Sequence, residues 1–431
     1  MLHLDISTAL AKVITSSFGV TNDELMQLRT SMKRYIEEWL KEREKGGHTW
    51  SMDPYNKTTV DRVKEIANRI KKEKVQTVVW IGIGGSGLGP KVIQEVFETP
   101  SSLEFLVIDT IDPALLQTYL HIIDWKCTCL IVASKSGGTL ETMSVFFLFW
   151  EELKKALGKR ANERVFGITD KQSGVLRDFC LEQNIEMLFI PSEVGGRFSI
   201  FTPVGLLPFM LLSDDIDEFL HGAKEMDTLC QQTTLEDNPA ALLASMQYIL
   251  DTKRDMPVRV IMPYSQRLQS IARWNQQLIA ESLGKTELSN PIPLAAIGTH
   301  DQHSLLQQWM AGPRKCWHIF IRDADKPVLP LPSIDDERFS YIKNASFGEL
   351  LDACYEGTSQ ALSQAKRPHI TITLPQLDAY HLGQLFFFFL TEVVLLGKIY
   401  RIDPYGQPAV EIGKTLTKEI LSKNKISRMA S

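Results

Sequence analysis

Short apolar runs separated by helix-length segments recur along most of the chain, and this alternation strongly limits how the chain can fold. The predicted strands lie at residues 78–83, 103–108, 129–133, 164–168, 186–190, 258–262, 293–297, 318–321 and 369–374. Strands that alternate with helices form parallel sheets that are covered by helices on both faces. The strands fall into two groups, so the sequence predicts an α/β protein with two doubly wound parallel sheets.

The chain of 431 residues is too long for one core, and its length favours two domains with extensions. Residues 22–45 carry apolar side chains at helical spacing and end at Gly46-Gly47. We therefore predict a helical N-terminal arm at 1–58, a first α/β domain at 59–222, and a second at 223–420. A C-terminal helical segment and a tail at 421–431 complete the prediction.

Two loops rich in glycine and hydroxyl side chains each follow a predicted strand and precede a helical stretch. The first reads Gly-Ile-Gly-Gly-Ser-Gly at 82–87, and the second reads Ser-Lys-Ser-Gly-Gly-Thr at 134–139. Loop amides and a helix N-terminus favour an anion at the carboxyl end of a parallel strand. In the second loop Ser134, Ser136 and Thr139 add hydroxyl donors, which a phosphate monoester uses well.

Both loops have other interpretations. The first also fits the dinucleotide fingerprint Gly-x-Gly-x-x-Gly, with Asp109 as the acidic residue after the next strand. The second is equally typical of a turn that only caps a helix. The hydroxyl groups favour a compact phosphate over a dinucleotide, which needs none of them.

The composition of the chain limits the kinds of binding partner that we expect. The net charge of −5 gives no basic field for nucleic acid or an acidic membrane surface. No basic segment followed by a long apolar core marks a signal peptide, and the apolar run at 379–391 is too short for a span before Glu392 interrupts it. Six cysteines without a Cys-x-x-Cys pair predict reduced, packed thiols. We expect a cytoplasmic protein that binds neither nucleic acid nor membrane.

Four further residues could carry chemistry. Arg197 follows Gly195-Gly196 and could face a developing oxyanion, although a structural salt bridge is the commoner role. Glu281 closes a helical pattern, where the negative helix end favours a basic carboxylate, yet most such glutamates are only solvated. His303 could act in catalysis or, with His300, bind a metal, but a packed or capping histidine is commoner. Lys414 alone is typical of a surface lysine.

Taken together, these motifs resemble the glucose-6-phosphate isomerase family. Five segments match in order: Gly-Ile-Gly-Gly-Ser at 82–86, Ser-Lys-Ser at 134–136, Gly-Gly-Arg-Phe-Ser at 195–199, Glu-Ser-x-Gly-Lys at 281–285 and Val-Glu-x-Gly-Lys at 410–414. The resemblance covers residues 78–414. It departs at Gly406 and Ala409, where the family usually has Asp or Asn and then Gly, and at His300, where many members have Asn.

The resemblance implies two sugar-isomerase-type (SIS-like) domains in a homodimer with no metal or cofactor. It implies that the sugar phosphate is held by Ser134, Lys135, Ser136 and Thr139, with Gly85, Ser86 and Gly196 lining the site and Gln407 positioning the sugar. His303 and Lys414 would open the sugar ring, with His303 supplied by the neighbouring subunit. Glu281 would move a proton between C2 and C1 through a cis-enediolate, and Arg197 would stabilise the negative charge.

Three other functions remain alternatives from the sequence. A dinucleotide-dependent oxidoreductase would explain the first loop but not Glu281. A non-catalytic sugar-phosphate sensor could use the same loops without Glu281, His303 and Lys414. An aminosugar-forming isomerase domain also has a Ser-x-Ser-Gly-x-Thr loop, but a glutamine-hydrolysing partner would require an N-terminal nucleophile, and residue 2 is Leu2.

Overall fold

Two five-stranded sheets form the frame of the protein in the computed structural model, which describes residues 1–73, 75–100, 103–287 and 291–430. The first sheet has the order β3-β2-β4-β5-β6 and the second has the order β1-β10-β9-β7-β8. The strands are β1 (His3–Asp5), β2 (Thr77–Ile81), β3 (Glu104–Ile108), β4 (Thr128–Ala133), β5 (Val165–Asp170), β6 (Glu186–Ile190), β7 (Val258–Pro263), β8 (Ile292–Ala295), β9 (Cys316–Asp323) and β10 (His369–Leu374).

Helices connect the strands and flank both sheets. They are α1 (Ala11–Ile14), α2 (Asn22–Glu44), α3 (Lys57–Lys72), α4 (Gly85–Phe97), α5 (Pro113–Ile122), α6 (Leu140–Leu157), α7 (Val175–Glu182), α8 (Pro203–Leu212), α9 (Ile216–Cys230), α10 (Pro239–Arg254), α11 (Gln269–Leu283), α12 (Leu306–Ala311), α13 (Phe347–Gln364), α14 (Ala379–Tyr400) and α15 (Val410–Ala430). Short 3₁₀ turns, among them Gly196–Phe201 and His300–Gln302, lie in the connections.

The predicted fold class is confirmed. Every strand pair of the first sheet is parallel, and alternate residues of its strands enter different apolar clusters. Val78 and Trp80 of β2 belong to the large central cluster, whereas Val79 and Ile81 pack in a second cluster with α6. Burial on both faces explains why these strands read as continuous apolar runs.

The nine predicted strands are all present, with ends that differ by two residues at most. One strand was missed: β1 pairs antiparallel with β10, with Leu4 opposite Ile372. A three-residue edge strand is too short to show a period, so the segment predicted as a helical arm also contains a strand. The helix predicted at 22–45 is α2, and Thr21 and Glu24 form a capping box at its start. The C-terminal helix α15 runs without a break past residue 420, where a tail was predicted to begin.

Helix α14 forms the centre of the core. By length and composition it is the one helix in the described residues that could span a membrane. However, 94% of its most apolar 18-residue stretch is buried within the protein. It packs against α9, α10 and α11. Its one buried acid, Glu392, accepts hydrogen bonds from Arg259 of β7, and both side chains have no exposed surface. The apolar run at 379–391 is therefore part of a core helix, as the sequence indicated.

Helices α4 and α11 pack against each other and join the two halves of the fold. Glu95 of α4 accepts hydrogen bonds from the backbone nitrogen (2.7 Å) and hydroxyl (2.6 Å) of Ser270, in the first turn of α11. Burial raises the pKa of Glu95. This contact fixes the start of α11. It therefore also sets the direction in which the last turn of α11, with Glu281, faces the loops of the first sheet.

All six cysteines are free thiols. Cys129, Cys180 and Cys230 are buried as predicted, but Cys354 is exposed on α13, so the expectation that every thiol is packed was wrong there. Burial raises the pKa of the Cys180 thiol to about 12, which keeps that sulfur protonated.

Candidate active site

The first glycine loop leaves β2 and starts α4. Gly84 has a φ of +59° and caps the helix, so the loop turns with a backbone angle that favours glycine. The indole nitrogen of Trp80 donates to the carbonyl of Ser86 at 2.8 Å and holds the loop against the sheet. A Cβ atom at Gly85 would lie 2.2 Å from the carbonyl carbon of Gly196. The first loop therefore touches the arginine loop through backbone atoms.

The second loop collects its hydroxyl groups at the N-terminus of α6. The Oγ of Ser134 lies 3.1 Å from the Oγ1 of Thr139, and the Oγ of Ser136 lies 3.4 Å from the same atom. Thr139 occupies the N-cap position, yet its side chain makes no capping bond. Three hydroxyls thus meet where helix amides and the helix dipole favour an anion.

Lys135 lies between these hydroxyl residues in the sequence, and the resemblance implied that it holds the phosphate, but in the structure its ammonium group contacts a different loop. Its Nζ donates to the carbonyl of Ser192 at 2.6 Å, in the loop after β6. Burial lowers the pKa of Lys135, and the neighbouring acids Asp170 and Glu193 oppose that shift. The ammonium group therefore reaches across the carboxyl edge of the first sheet.

Arg197 joins the two halves of the site. Its guanidinium is buried, and its Nη1 donates to the Oε2 of Glu281 at 3.1 Å and to the Oε1 of Gln407 at 3.0 Å. Its Nε donates to the hydroxyl of Ser282 at 2.7 Å. Burial lowers the pKa of Arg197, and Glu281 opposes that shift, so the side chain remains a fixed cation.

Glu281 lies in the last turn of α11, and Gly284 follows as the C-cap. Its Oε2 accepts from Arg197, and its Oε1 accepts from the side-chain nitrogen of Gln277 at 2.8 Å. About a third of the side chain is exposed (32%), so the carboxylate is held firmly and still open to a ligand. It borders a cavity of about 480 Å³ between the end of α11 and the start of α15.

Two residues that contact these groups were missed by the sequence analysis. Gln277 is four residues before Glu281 on α11, and this spacing puts both on one helix face, a signal the sequence does contain. Ser282 is buried and orients the Arg197 guanidinium; it belongs to the segment Glu-Ser-x-Gly-Lys at 281–285, but the sequence analysis gave it no role of its own.

The structure does not bring His303 and Lys414 to the other site residues. His303 is exposed and follows the turn between β8 and α12. Lys414 lies on α15 with 59% of its side chain exposed, and its Nζ donates to Glu411 at 2.6 Å. Among the hydrogen bonds of the described residues, none joins either side chain to Glu281.

A hydroxyl-lined helix N-terminus, a buried guanidinium and a partly exposed carboxylate together define the class of this protein. It is an α/β enzyme that can hold a phosphorylated small molecule and transfer protons on it. Asp109, the acidic residue of the dinucleotide interpretation, forms an ion pair with Lys91 at 3.0 Å. No group of three or more potential metal ligands is found in the part of the chain that the structure describes.

Comparison with known proteins identifies the family. The family model for phosphoglucose isomerase matches residues 47–324 and 355–431. Glucose-6-phosphate isomerase from Carboxydothermus hydrogenoformans is 33% identical over 384 residues, covering 84% of this chain and 82% of that protein. The chain therefore belongs to the phosphoglucose isomerase family. It is an aldose–ketose isomerase that interconverts glucose 6-phosphate and fructose 6-phosphate in glycolysis.

Solved structures agree with this assignment. A hypothetical protein from Thermus thermophilus superposes with a TM-score of 0.89 at 30% identity, covering 98% of this chain and all of that chain (100%). A glucose-6-phosphate isomerase from Chlamydia trachomatis has a TM-score of 0.76 at 25% identity, covering 86% of this chain and 74% of that chain.

Proposed function

We propose that the isomerisation proceeds through a cis-enediolate with Glu281 as the base. The carboxylate takes the proton from C2 of open-chain glucose 6-phosphate and returns it to C1, while the proton of the C2 hydroxyl passes to O1, which yields fructose 6-phosphate. One base can serve both carbons because they are adjacent, and its two oxygens are held by Arg197 and Gln277. The observation that carries the proposal is the contact of one buried cation with both Glu281 and Gln407.

Arg197 stabilises the negative charge of the enediolate. A fixed cation in a water-poor site counters a developing oxyanion far better than one in bulk water. The guanidinium is already oriented by Ser282 and by backbone carbonyls, so it does not need to reorganise during the reaction. Gln407, which accepts from the same Nη1 of Arg197 as Glu281 does, positions the sugar.

The phosphate is held away from the reacting carbons. Ser134, Ser136 and Thr139 donate to its oxygens, while Lys135 supplies a positive charge and Gly85, Ser86 and Gly196 form the adjacent wall. The phosphate is unchanged by the reaction, so its binding energy orients the reacting end of the sugar. The isomerisation moves a proton without net redox change, so we propose that it needs no metal or cofactor and that activity persists in a chelator.

His303 and Lys414 open the sugar ring by moving a proton between the ring oxygen and the C1 hydroxyl. We propose a cytoplasmic homodimer in which His303 of one subunit reaches the site of the other. Support comes from the exposure of the His303 side chain, which leaves it open to a second subunit. Lys414 lies on α15, whose first residue, Val410, borders the cavity next to Glu281.

A subunit-mixing experiment tests the shared site. Glu281→Ala chains and His303→Ala chains are refolded together, and each variant refolded alone serves as the control. If the two residues meet across the dimer, a mixed dimer has one doubly altered site and one intact site, so activity returns. If both residues belong to one chain, every site carries a lesion. The absence of recovery in a preparation where mixed dimers are isolated by two affinity tags would reject the shared site.

A further inference from the structure

Residues 403–406, here called the strap, lead from the end of α14 to Gln407 and the start of α15. Two cations hold the strap by successive backbone carbonyls. Lys285 donates through its Nζ to the carbonyls of Asp403 (2.6 Å) and Tyr405. Arg197 donates through its Nη2 to the carbonyls of Pro404 (2.5 Å) and Gly406 (3.2 Å). The carbonyls therefore alternate between the two cations.

The side chain of Tyr405 provides a third anchor for the strap. Its hydroxyl accepts from the indole nitrogen of Trp50 at 2.9 Å and also pairs with the Nδ1 of His48. Its ring lies 5.1 Å from that of Phe198, the residue next to Arg197. The strap is therefore fixed from the N-terminal segment and from the active-site side, and Gln407 follows directly after it.

We propose that Lys285 is a positioning residue of the active site, which holds the strap so that Gln407 stays on the Arg197 guanidinium. Lys285 follows Glu281 by one helical turn, after the C-cap Gly284, and the ammonium group points to the strap. Arg197 uses Nη2 for the strap and shares Nη1 between Glu281 and Gln407. Without Lys285, Arg197 would be the one cation among the described residues that holds the backbone carbonyls of the strap.

This inference rests on the proposed function of Arg197 and Gln407. A positioning role predicts a defect in turnover more than in binding, because no hydrogen bond among the described residues joins the strap to the hydroxyl loop at 134–139. A displacement of about 1 Å at a reacting group is enough to lower turnover by about 10²-fold. We expect Lys285→Met to lower kcat by about 10- to 100-fold with KM within about threefold of wild type.

The experiment compares kcat and KM of Lys285→Met, Gln407→Ala and the double variant, with melting temperature measured for each. Lys315→Met is the matched control, because the half-exposed side chain of Lys315 forms an ion pair with Asp255 on the surface. If Lys285 acts through Gln407, the double variant is no slower than the slower single variant. Lys285→Arg keeps a donor for both carbonyls and should recover most of the lost turnover.

Several results would overturn the inference. Wild-type kcat in Lys285→Met, with only a lower melting temperature, would show a purely structural lysine. If the fold-decreases in kcat of the two single variants multiply in the double variant, Lys285 does not act through Gln407. Wild-type kcat in Gln407→Ala would instead reject the proposed role of Gln407. If Lys285→Met does not fold, Tyr405→Phe loosens the strap at its third anchor and should give the same selective loss of kcat, whereas unchanged kcat there would contradict the role of the strap.

Discussion

Replacing Gly85 by alanine tests whether the close contact of the two loops sets the position of Arg197. The new Cβ would lie 2.2 Å from the carbonyl carbon and 2.3 Å from the oxygen of Gly196, and 2.6 Å from the backbone nitrogen of Arg197. Ordinary van der Waals contact begins at 3.4 Å, so the loops must separate by about 1.2 Å. These three nearest atoms belong to the backbone, so a side-chain rotation cannot relieve the contact.

A shift of that size moves the guanidinium away from the reacting carbons. We expect kcat to fall by about 10²-fold, because a misplacement of about 1 Å at a catalytic group has this cost. Overpacking should also lower the free energy of unfolding by about 1–3 kcal/mol. The assay couples formation of glucose 6-phosphate to its oxidation, and thermal melting reports folding.

Gly357→Ala is the matched control for this variant. Gly357 lies in helix α13, and a Cβ there would have no neighbour within 4 Å. Alanine should leave kcat unchanged and stabilise the helix by about 0.5–1 kcal/mol. A Gly85→Ala enzyme that folds normally and keeps kcat within about threefold of wild type would refute the reasoning.

Three further predictions concern binding and stability. Replacing Ser134 and Thr139 together by alanine should raise KM with little change in kcat, since these donors bind a group that the reaction leaves unchanged; a fall in kcat alone would contradict a phosphate-anchoring role. Glu392→Gln should lower the free energy of unfolding by about 3–5 kcal/mol, because the buried cation of Arg259 loses its partner, and denaturant titration measures this. Burial raises the pKa of Asp53 to about 8, so the folded protein keeps a proton that the unfolded chain loses above about pH 4. The free energy of unfolding therefore falls as pH rises between those two values. Asp53→Asn should flatten this pH dependence and stabilise the protein at about pH 8.

The sequence predicted the sheets well for a physical reason. Strands buried on both faces must be apolar throughout, so they stand out from amphipathic helices, and only the strand ends shift by a residue or two. Strand β1 escaped notice because three edge residues carry no period. The extent of α15 was also missed, because its exposed sequence gives no signal of where the helix ends.

The candidate site was predictable where side chains form motifs. Arg197 and Glu281 are 84 residues apart, and Arg197 and Gln407 are 210 residues apart, yet each pair is joined by a hydrogen bond. The contacts that the sequence could not reveal involve backbone atoms. Lys285 binds carbonyl groups of the strap, and any residue type supplies a carbonyl, so no pattern of side chains marks that contact.

Substitution of Glu281 by glutamine tests the central claim most directly. Glutamine keeps the shape of the side chain and can still accept a hydrogen bond from Arg197, but it cannot take a proton from C2. We predict that kcat for conversion of fructose 6-phosphate to glucose 6-phosphate falls by about 10²–10⁴-fold, while the affinity for a phosphorylated sugar-acid inhibitor stays within a few-fold of wild type. Turnover close to that of the wild-type enzyme would contradict the account and remove Glu281 from the mechanism.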